Sequence, residues 1–534
     1  MFAINQIAGQ TTETQRLRPS LADSQVVPSV AASWWGRVAV ACAFLVVIAL
    51  ATFNLQYYPR TWYDEGINLQ AARALAESGR YGLEYSGQFH PFDRSMSTGP
   101  TVIAAVALTF KLFGVGLIQG RMVMVGYLVL ATLGLYVLGR QLFDRLVAVV
   151  AVFVVASLGE VGLFANGRHV LGEVAALAFL YWGVAIFLKA WPSKSDVLFL
   201  AAGTLFGLAI LTKIQFLLIA PVLLVLCAVG RLRGSTPSAR QFILLFLGVA
   251  GPTGLWYAYQ LIDLGMGGLL ERIDWLRQGA TTTSYTAPLS RSLGAVKLLI
   301  TSGFAIWGLA GLLYVWLLPH RESSSLPARL VLQAFAVIWL AWFVFLSVGW
   351  ARYAVPVAVT GSLFEAKLLC DLARKVSPIG RDRFTFVPRT YLADPLGTAL
   401  LAALFAVVVG GILVNADTIA RSRDASPQEF GNVIMQQVSP NAVVESSEWE
   451  IGFLAKRTYH VPPIPLLERA NAIVTLHQSA ESLESYRVPA TVSYIVDGPY
   501  SKLTGIYRGQ LATGEFVRVA SVGEYDLYRR VSQR

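Results

Sequence analysis

The chain has 534 residues, of which 55% are hydrophobic and only 14% are charged. Because soluble globular domains carry about 25% charged residues, this composition excludes a water-soluble protein, a disordered chain and a collagen-like chain, and predicts a multi-span membrane protein. The net charge of +11 does not require nucleic acid as a partner, since polytopic proteins collect Lys and Arg in their cytoplasmic loops. Cys42, Cys227 and Cys370 lie inside apolar runs, which argues against a disulfide scaffold or a zinc site.

The chain begins with a polar segment and continues as a series of apolar runs. Residues 1–36 are predicted to form a disordered cytoplasmic tail. The first run lacks a small-residue cleavage site, which favours an uncleaved span over a signal peptide. Twelve runs approach the roughly 20 residues that a helix needs to cross a bilayer. They are residues 37–55, 99–118, 122–139, 146–165, 170–188, 196–211, 213–230, 241–261, 293–318, 329–349, 353–371 and 395–415.

Basic residues between the runs predict which loops face the cytoplasm. The segments 231–240, 320–321 and 372–394 carry such residues. If the N-terminus is cytoplasmic, twelve crossings would place the first of these segments outside. We therefore predict eleven crossings of the cytoplasmic (inner) membrane and an extracytoplasmic C-terminus. One run between residues 99 and 230 is then re-entrant or interfacial, and the short runs that begin this region are the weakest candidates for a crossing.

Two long segments outside the runs are predicted to lie on the extracytoplasmic side. The first is the loop 56–98, and the second is the tail 416–534. In the tail, short strand-like runs alternate with polar turns, and a segment of this length suffices for a small α/β domain. The predicted fold class is an all-α polytopic membrane protein with a small C-terminal extracytoplasmic α/β domain.

The first of these loops places two carboxylates beside the membrane boundary. Asp64 and Glu65 follow aromatic residues of the kind that mark the lipid–water interface. The carboxylates would cap a helix and favour its dipole; alternatively, a carboxylate in such a partly dry place would accept a proton from an attacking hydroxyl. A stripe at helical spacing predicts that this helix lies along the membrane. Its members are Ile67, Ala71, Ala74, Leu75 and Ser78.

Later in the same loop, His90, Asp93 and Arg94 are candidate contacts of the site. The default interpretation of these three residues is a solvated loop. Thr98-Gly99-Pro100 follows them and is typical of an ordinary helix start, because proline is favoured in the first helical turn.

Ionisable side chains beside the apolar runs form a second group of candidates, because charges at membrane depth are costly and often functional. Arg168 and His169 lie between two runs and Glu173 falls inside the second run, where an Arg168–Glu173 ion pair is the structural alternative. Lys213 lies at the apex of a tight hairpin that residues 196–230 are predicted to form. It would either meet a lipid phosphate or extend to the interface.

Arg352 and Tyr353 lie in a turn between two late runs, on the side predicted to be extracytoplasmic. The planar fork of donors in arginine suits a phosphate. The alternative is a boundary residue of the kind that any span carries.

These segments, taken in order, resemble the GT-C glycosyltransferases. The resemblance rests on the aromatic first loop with Asp64-Glu65, on Arg168 to Glu173, on Gly207 to Lys213, and on Arg352-Tyr353-Ala354-Val355-Pro356. It is strongest with bacterial members related to protein O-mannosyltransferases and aminoarabinose transferases. It implies a GT-C transmembrane catalytic domain over residues 37–415. It also implies transfer of a sugar from a polyprenyl-phosphate donor to a glycan, lipid or protein acceptor at the outer face of the membrane.

The resemblance also implies roles for individual residues. Asp64 matches the general base for the acceptor hydroxyl, with Glu65 and Glu173 as further acidic members of the site. The candidates for binding the donor phosphate are Arg168, His169, Lys213, Arg352 and Tyr353. No zinc motif is present, and the resemblance leaves open whether Asp64 and Glu173 hold a divalent cation such as Mg²⁺ or Mn²⁺.

The sequence departs from relatives at two places. Ser97-Thr98-Gly99-Pro100 stands where the aminoarabinose-transferase branch often has Glu-Lys-Pro, so the sugar of that branch is not implied. A Trp-Trp-Asp segment of the oligosaccharyltransferase type is absent from the sequence, which argues against transfer of a whole oligosaccharide to asparagine.

Three other functions stay open on the sequence. A transporter or flippase of lipid-linked saccharides would explain the spans and buried charges, but it predicts internal repeats that are not found here. A polysaccharide polymerase or ligase would place a large acceptor loop late in the chain, for which residues 262–292 are the candidate. A non-catalytic assembly subunit would bind partners through its tail.

Overall fold

The computed structural model describes residues 30–232, 237–283, 289–318, 326–376, 395–476 and 483–531. Residues 1–29 of the predicted tail 1–36 and the basic segment 377–394 therefore lie outside the described residues. Residues 30–36 are helical, so the predicted disordered tail does not extend to residue 36. The described chain forms a helical bundle followed by a small domain that contains a five-stranded sheet.

The bundle and the first loop contain fifteen helices and a two-stranded hairpin in the described residues. The hairpin strands are β1 (Gly82–Tyr85) and β2 (Gln88–Pro91), which pair antiparallel. The helices are α1 (Val30–Thr52), α2 (Tyr63–Ser78), α3 (Pro100–Phe113), α4 (Leu117–Leu142), α5 (Arg145–Ser157), α6 (Leu163–Asn166), α7 (Glu173–Ser193), α8 (Asp196–Thr212), α9 (Ile219–Leu232), α10 (Ala239–Thr283), α11 (Leu289–Thr301), α12 (Phe304–Leu317), α13 (Leu326–Phe345), α14 (Ala351–Val376) and α15 (Pro395–Arg421).

Seven helices of the described chain are long and apolar enough to cross a membrane, or eight if the bent pair α11–α12 is one span. Four shorter apolar helices, among them α3, α5 and α8, have 13 to 17 residues. The eleven crossings predicted above are therefore reached only if shorter helices also cross, and that number stays a prediction. The run 293–318 is not one straight helix, because α11 and α12 meet at an angle of 83°.

Helix α3 is the best candidate for the run that does not cross. Its 14 residues would span about 21 Å, against a hydrocarbon core of about 30 Å. Its buried face, including Val102, Val106 and Phe110, belongs to the same apolar cluster as α2 and the C-terminal domain. Helix α3 therefore packs with the parts of the chain that we predicted to lie outside the membrane.

The chain turns sharply at Lys213, as the length of residues 196–230 required. Lys213 is extended, and a 3₁₀ helix (Ile214–Leu218) leads into α9. The two long helices then diverge, because α8 packs against α7 and α10 whereas α9 packs against α13. The two helices therefore do not form the tight hairpin that the sequence predicted.

The C-terminal domain is an α/β unit that follows α15. Its sheet has the order β4-β3-β5-β7-β6, with parallel pairing of β3 to β4 and β5, and antiparallel pairing of β7 to β5 and β6. The elements are α16 (Ser426–Gln437), β3 (Val443–Ser446), α17 (Trp449–Leu454), β4 (Thr458–His460), α18 (Ile464–Leu476), β5 (Val492–Asp497), α19 (Pro499–Thr504), α20 (Arg508–Leu511), β6 (Phe516–Val522) and β7 (Tyr525–Arg530).

Helix α2 joins this domain to the bundle. Its first half is buried between α3 and α17, so it does not lie exposed along the membrane as the stripe of residues predicted. Gly66 allows the close approach, because a Cβ atom there would lie 2.2 Å from the backbone nitrogen of Glu450. Gln70 donates to the carbonyl of Trp449 at 2.7 Å and fixes the same contact. The first loop and the C-terminal domain therefore lie at one end of the bundle.

Candidate active site

A cavity of about 520 Å³ lies where the bundle, the first loop and the C-terminal domain meet. The bundle supplies the start of α14, the end of α8 and the middle and second half of α10. The first loop supplies Asp64 and the residues before α3, and the C-terminal domain supplies α18 and Tyr500. Most of the wall is apolar or aromatic, and the charged groups within it are few. The positions of these charged groups therefore indicate how a ligand would be oriented.

Asp64 and Arg352 meet in this cavity, although 288 positions separate them in the sequence. Arg352 Nη1 donates to Asp64 Oδ2, and the side chains are 10% and 19% exposed. Asp64 lies in the first turn of α2, whose N-cap Trp62 makes no side-chain capping bond. Its carboxylate therefore faces the N-terminal end of the helix dipole and the cavity together.

Arg352 is held in the first turn of α14. Gly349 adopts φ 73°, in the left-handed region that glycine favours, and the chain turns there into the helix. Trp339 Nε1 donates to the carbonyl of Tyr353 at 2.7 Å and fixes the turn. The guanidinium lies 4.4 Å from the ring centre of Trp350 and 5.3 Å from that of Tyr353, which orients it through cation–π contacts.

Glu173 and Lys213 form a second, deeper ion pair behind Arg352. Lys213 Nζ lies 3.3 Å from Glu173 Oε1, and the side chains are only 2% and 3% exposed. Arg352 Nε lies 4.0 Å from the same oxygen. Four charges thus alternate from Asp64 through Arg352 and Glu173 to Lys213. Neither Glu173 nor Lys213 lines the cavity.

Glu65 points away from the cavity, unlike its neighbour Asp64. It is fully buried and accepts from Arg121 Nε at 2.8 Å and Nη2 at 2.6 Å. The backbone nitrogen of Val170 donates to it at 3.2 Å. Burial alone would raise the pKa of Glu65, but the charges of Arg121 and His169 lower it below its usual range. We therefore withdraw Glu65 from the predicted catalytic group and describe it as an anchor of α2.

Arg168 and His169 also lie outside the cavity wall. Arg168 donates to the carbonyl of Phe53 at 2.5 Å and lies over the ring of Tyr58. His169 Nε2 lies 2.9 Å from the carbonyl oxygen of Arg60. The alternative Arg168–Glu173 ion pair is not formed, since Glu173 pairs with Lys213. Of the five predicted phosphate ligands, Arg352 and Tyr353 are those that line the cavity.

Of the three loop candidates, one lines the cavity and the other two contact residues of the loop itself. Arg94 lines the cavity and forms an ion pair with Glu271 of α10. Asp93 organises the loop, because it accepts from the hydroxyl of Tyr85 and from the backbone of Ser95, both at 2.8 Å. His90 stacks on Tyr85 with ring centres 3.9 Å apart. Arg94 is thus the member of this group that a ligand in the cavity would meet.

Several cavity residues were not predicted from the sequence. Arg272, Trp275 and Arg277 come from the second half of α10, in the segment considered above only as the acceptor loop of a polymerase. Glu468, Asn471 and Tyr500 come from the C-terminal domain. Burial and the neighbouring Tyr63 raise the pKa of Tyr500 far above its usual range, so it remains a neutral hydroxyl. No local pattern marks these six residues.

Arg121 was also missed, although a signal for it existed. It lies immediately before the apolar run 122–139, where the rule that singled out Arg168 and Lys213 applies equally. In the structure it is fully buried and joins α4 to the start of α2 through Glu65.

The arrangement does not fit a divalent cation between Asp64 and Glu173. The Arg352 guanidinium contacts Asp64 through Nη1 and approaches Glu173 through Nε, so a positive charge already lies between the two carboxylates. In the described part of the chain, no three His, Cys, Asp or Glu side chains are grouped as metal ligands. No step below is assigned to a metal.

Comparison with known proteins found a family model that matches part of the bundle and solved structures that match most of the chain. Residues 97–256 match the family model of the dolichyl-phosphate-mannose-protein mannosyltransferases. The fold is similar to that of ArnT from Cupriavidus metallidurans bound to undecaprenyl phosphate, with a TM-score of 0.61 and 16% identity over 94% of this chain and 99% of that one. It is also similar to the oligosaccharyltransferase AglB from Archaeoglobus fulgidus in complex with an inhibitory peptide and a dolichol-phosphate, with a TM-score of 0.59 and 14% identity over 94% of this chain and 74% of that one. No curated protein matches the sequence.

Proposed function

We propose that the chain is a membrane glycosyltransferase that moves a sugar from a polyprenyl-phosphate donor to an acceptor hydroxyl, with Asp64 as general base. The family model that matches residues 97–256 and the similarity of the fold to that of ArnT support the proposal. The site is proposed to face the outer side of the cytoplasmic membrane, and the reaction to invert the anomeric centre. The observation that carries the proposal is the position of Asp64, a carboxylate in a largely apolar cavity at the end of the bundle, paired with Arg352 and accompanied by three further arginines in the cavity wall.

The arginines of the cavity are proposed to bind the donor phosphate. Arg352, Arg94, Arg272 and Arg277 all line it, and guanidinium groups suit phosphate oxygens through their fork of donors. Two of the similar proteins bind undecaprenyl phosphate or dolichol-phosphate, which supports a polyprenyl phosphate as the corresponding ligand here. The exposed apolar surface of the surrounding helices would contact membrane lipids and the polyprenyl chain.

The proposed reaction is a single displacement. The acceptor oxygen attacks the anomeric carbon as Asp64 takes its proton, and the bond from that carbon to the phosphate oxygen breaks. General base catalysis of this kind contributes about 10²–10⁴-fold. The departing polyprenyl phosphate gains one negative charge, which the guanidinium groups stabilise. The sugar is already activated by its phosphate, so the reaction requires no nucleotide.

The acceptor is proposed to approach from the side of the C-terminal domain. The hydroxyl of Tyr500 donates a hydrogen bond to Asn471 Oδ1 at 2.8 Å, and both residues line the cavity together with Glu468. They offer neutral hydroxyl, amide and carboxylate partners to the hydroxyls of a glycan, a lipid or a protein.

The proposal is tested in a strain that lacks this protein. Mass spectrometry of its lipid fraction should reveal an accumulating polyprenyl-phosphate sugar, together with loss of that sugar from an envelope component. Expression of the wild-type chain should reverse both effects, whereas Asp64→Asn should not, because the amide cannot accept the proton.

Glu77→Gln is the matched control, since Glu77 lies at the exposed end of the same helix and should restore transfer fully. Restoration by Asp64→Asn at a normal expression level would contradict the transferase mechanism and favour a flippase or a scaffold.

A further inference from the structure

We propose that Arg352 is an exchangeable counter-ion, which the donor phosphate takes from Asp64, so that the base becomes free only when the donor is bound. The inference rests on the proposed function and adds to it an order of events: donor first, acceptor second.

The first observation is that the proposed base is already occupied. Arg352 donates to Asp64 within the cavity, at the surface that the substrates would share. Among the described residues, Arg352 is the cation at ion-pair distance from this carboxylate. Arg352 occupies the carboxylate oxygen that would otherwise be open to a hydrogen bond from an acceptor hydroxyl. In this state the site is therefore poorly suited to deprotonate an acceptor.

The second observation is that Arg352 is loosely held along its other edge. Its Nε and both oxygens of Glu173 are buried and lack hydrogen-bond partners, and the Nε–Oε1 distance is 4.0 Å. Glu173 is already neutralised by Lys213 at 3.3 Å. The guanidinium is thus guided by the rings of Trp350 and Tyr353 but fixed by a single strong contact, the one with Asp64. A ligand that replaces this contact has no other strong contact of the guanidinium to break.

The third argument is the movement of negative charge during transfer. Before the reaction, Asp64 and the donor phosphodiester carry one negative charge each. Afterwards Asp64 holds the acceptor proton and is neutral, while the polyprenyl phosphate, now a monoester, carries the charge that Asp64 has lost. Arg352 would follow this charge from Asp64 to the phosphate. When Asp64 releases its proton, it again competes for the guanidinium, which favours release of the lipid product.

Alternative models differ in what they predict for Asp64. If the Asp64–Arg352 pair only holds the guanidinium in a fixed position for the phosphate, loss of Asp64 should weaken phosphate binding. If Asp64 only repels the phosphate by its charge, its loss should strengthen binding whether or not Arg352 is present. Partner exchange predicts stronger binding that depends on Arg352.

The test is a double-mutant cycle on the purified full-length protein in detergent, with undecaprenyl phosphate as the probe. The four proteins are the wild type, Asp64→Asn, Arg352→Gln and the double variant, with Arg352→Lys as a substitute if Arg352→Gln does not fold. Asp64→Asn should bind about tenfold more tightly than the wild type, as expected when one charged hydrogen bond no longer competes. In the Arg352→Gln background the same change should alter affinity by less than about twofold.

Undecaprenol, which lacks the phosphate, is the control ligand and should bind all four proteins equally. Unchanged or weaker binding by Asp64→Asn would overturn the exchange, and so would an equal gain in both backgrounds. Failure of the wild type to bind undecaprenyl phosphate would instead count against the proposed function itself. The cycle measures binding without turnover, so the two failures are distinct.

Discussion

Asp64 and Glu65 are adjacent in the sequence, yet their environments are opposite. Asp64 faces the cavity and Arg352, whereas Glu65 is enclosed by Arg121 and the backbone of Val170. Successive helical side chains point about 100° apart, so one turn can present one carboxylate to the substrate and the next to the bundle. The second carboxylate thereby fixes the helix that carries the first.

The buried Glu65–Arg121 pair should be important for stability. Arg121→Met would leave an uncompensated buried carboxylate, and breaking such a pair by removing one partner costs about 3–5 kcal/mol. We expect a large fall in melting temperature in detergent. The double variant Glu65→Leu/Arg121→Met should recover much of the loss, because it leaves no unpaired charge. A double variant that melts as low as Arg121→Met would argue against this account.

At the scale of elements, the backbone of α10 departs from helical geometry at Gly265. This residue adopts φ 69° and ψ 175° inside an otherwise helical segment. The half before it packs against α8 and lines the cavity through Trp256, Tyr257 and Gln260. The half after it brings Arg272, Trp275 and Arg277 to the same cavity. The conformation of Gly265 thus sets the direction in which the second half continues the wall of the site.

Gly265→Ala should disturb that wall. The conformation is essentially restricted to glycine, and imposing it on another residue costs about 1–3 kcal/mol. We expect weaker binding of undecaprenyl phosphate and altered fluorescence of Trp275. Gly267→Ala, two positions later in open space, is the control and should leave both measurements unchanged. Equal effects of the two substitutions would show that the conformation of residue 265 is not the cause.

The contact of α2 with α17 should be equally sensitive. In Gly66→Ala the new Cβ would meet the backbone of α17 at 2.2 Å, so the helices must separate, at a cost of about 1–3 kcal/mol for overpacking. Asp64 would move with the helix, and we expect both the melting temperature and the transfer rate to fall. Gly126→Ala in α4 places its methyl group in open space and should be neutral or slightly stabilising. A normal transfer rate in Gly66→Ala would show that catalysis does not depend on the position of this helix.

At the scale of the whole molecule, the C-terminal domain contains two buried acidic side chains in the segment that meets α2. Glu448 accepts from the backbone nitrogens of Tyr500 and Ser501 at 3.3 and 2.8 Å. Glu450 accepts from the hydroxyl of Tyr525 at 2.7 Å. Burial raises the pKa of Glu448 to about 8, with a contribution from the charge of Glu450, and burial raises the pKa of Glu450 to about 7.

These shifts predict that the protein is more stable in mild acid. Between the ordinary carboxyl pKa and pH 8 the folded chain binds more protons than the unfolded chain, so stability falls as pH rises. The contribution is complete below the ordinary pKa of 4.5 and is lost as pH passes through about 7 to 8. The melting temperature should therefore fall between pH 5 and pH 8.5. The variant Glu448→Gln/Glu450→Gln should fall less steeply, and identical slopes would contradict the assignment.

The sequence by itself determined the class and much of the outline of this protein. The predicted all-α polytopic fold of the GT-C type, with a small C-terminal α/β domain, is confirmed. The resemblance to the GT-C glycosyltransferases is supported by the family model that matches residues 97–256. Hydropathy and strand patterns are properties of short windows, so they can be read without knowing which segments meet. The placement of Asp64 beside a helix start was accessible for the same reason.

Only the tertiary structure decided which charges meet. Asp64 pairs with a residue 288 positions away, Glu65 with one 56 positions away, and Glu173 with Lys213 rather than Arg168. Part of the cavity wall comes from α10 and α18, where local composition resembles that of any interfacial helix. An ion pair depends on distance in space and on shared burial, and neither quantity is encoded in the sequence near either partner.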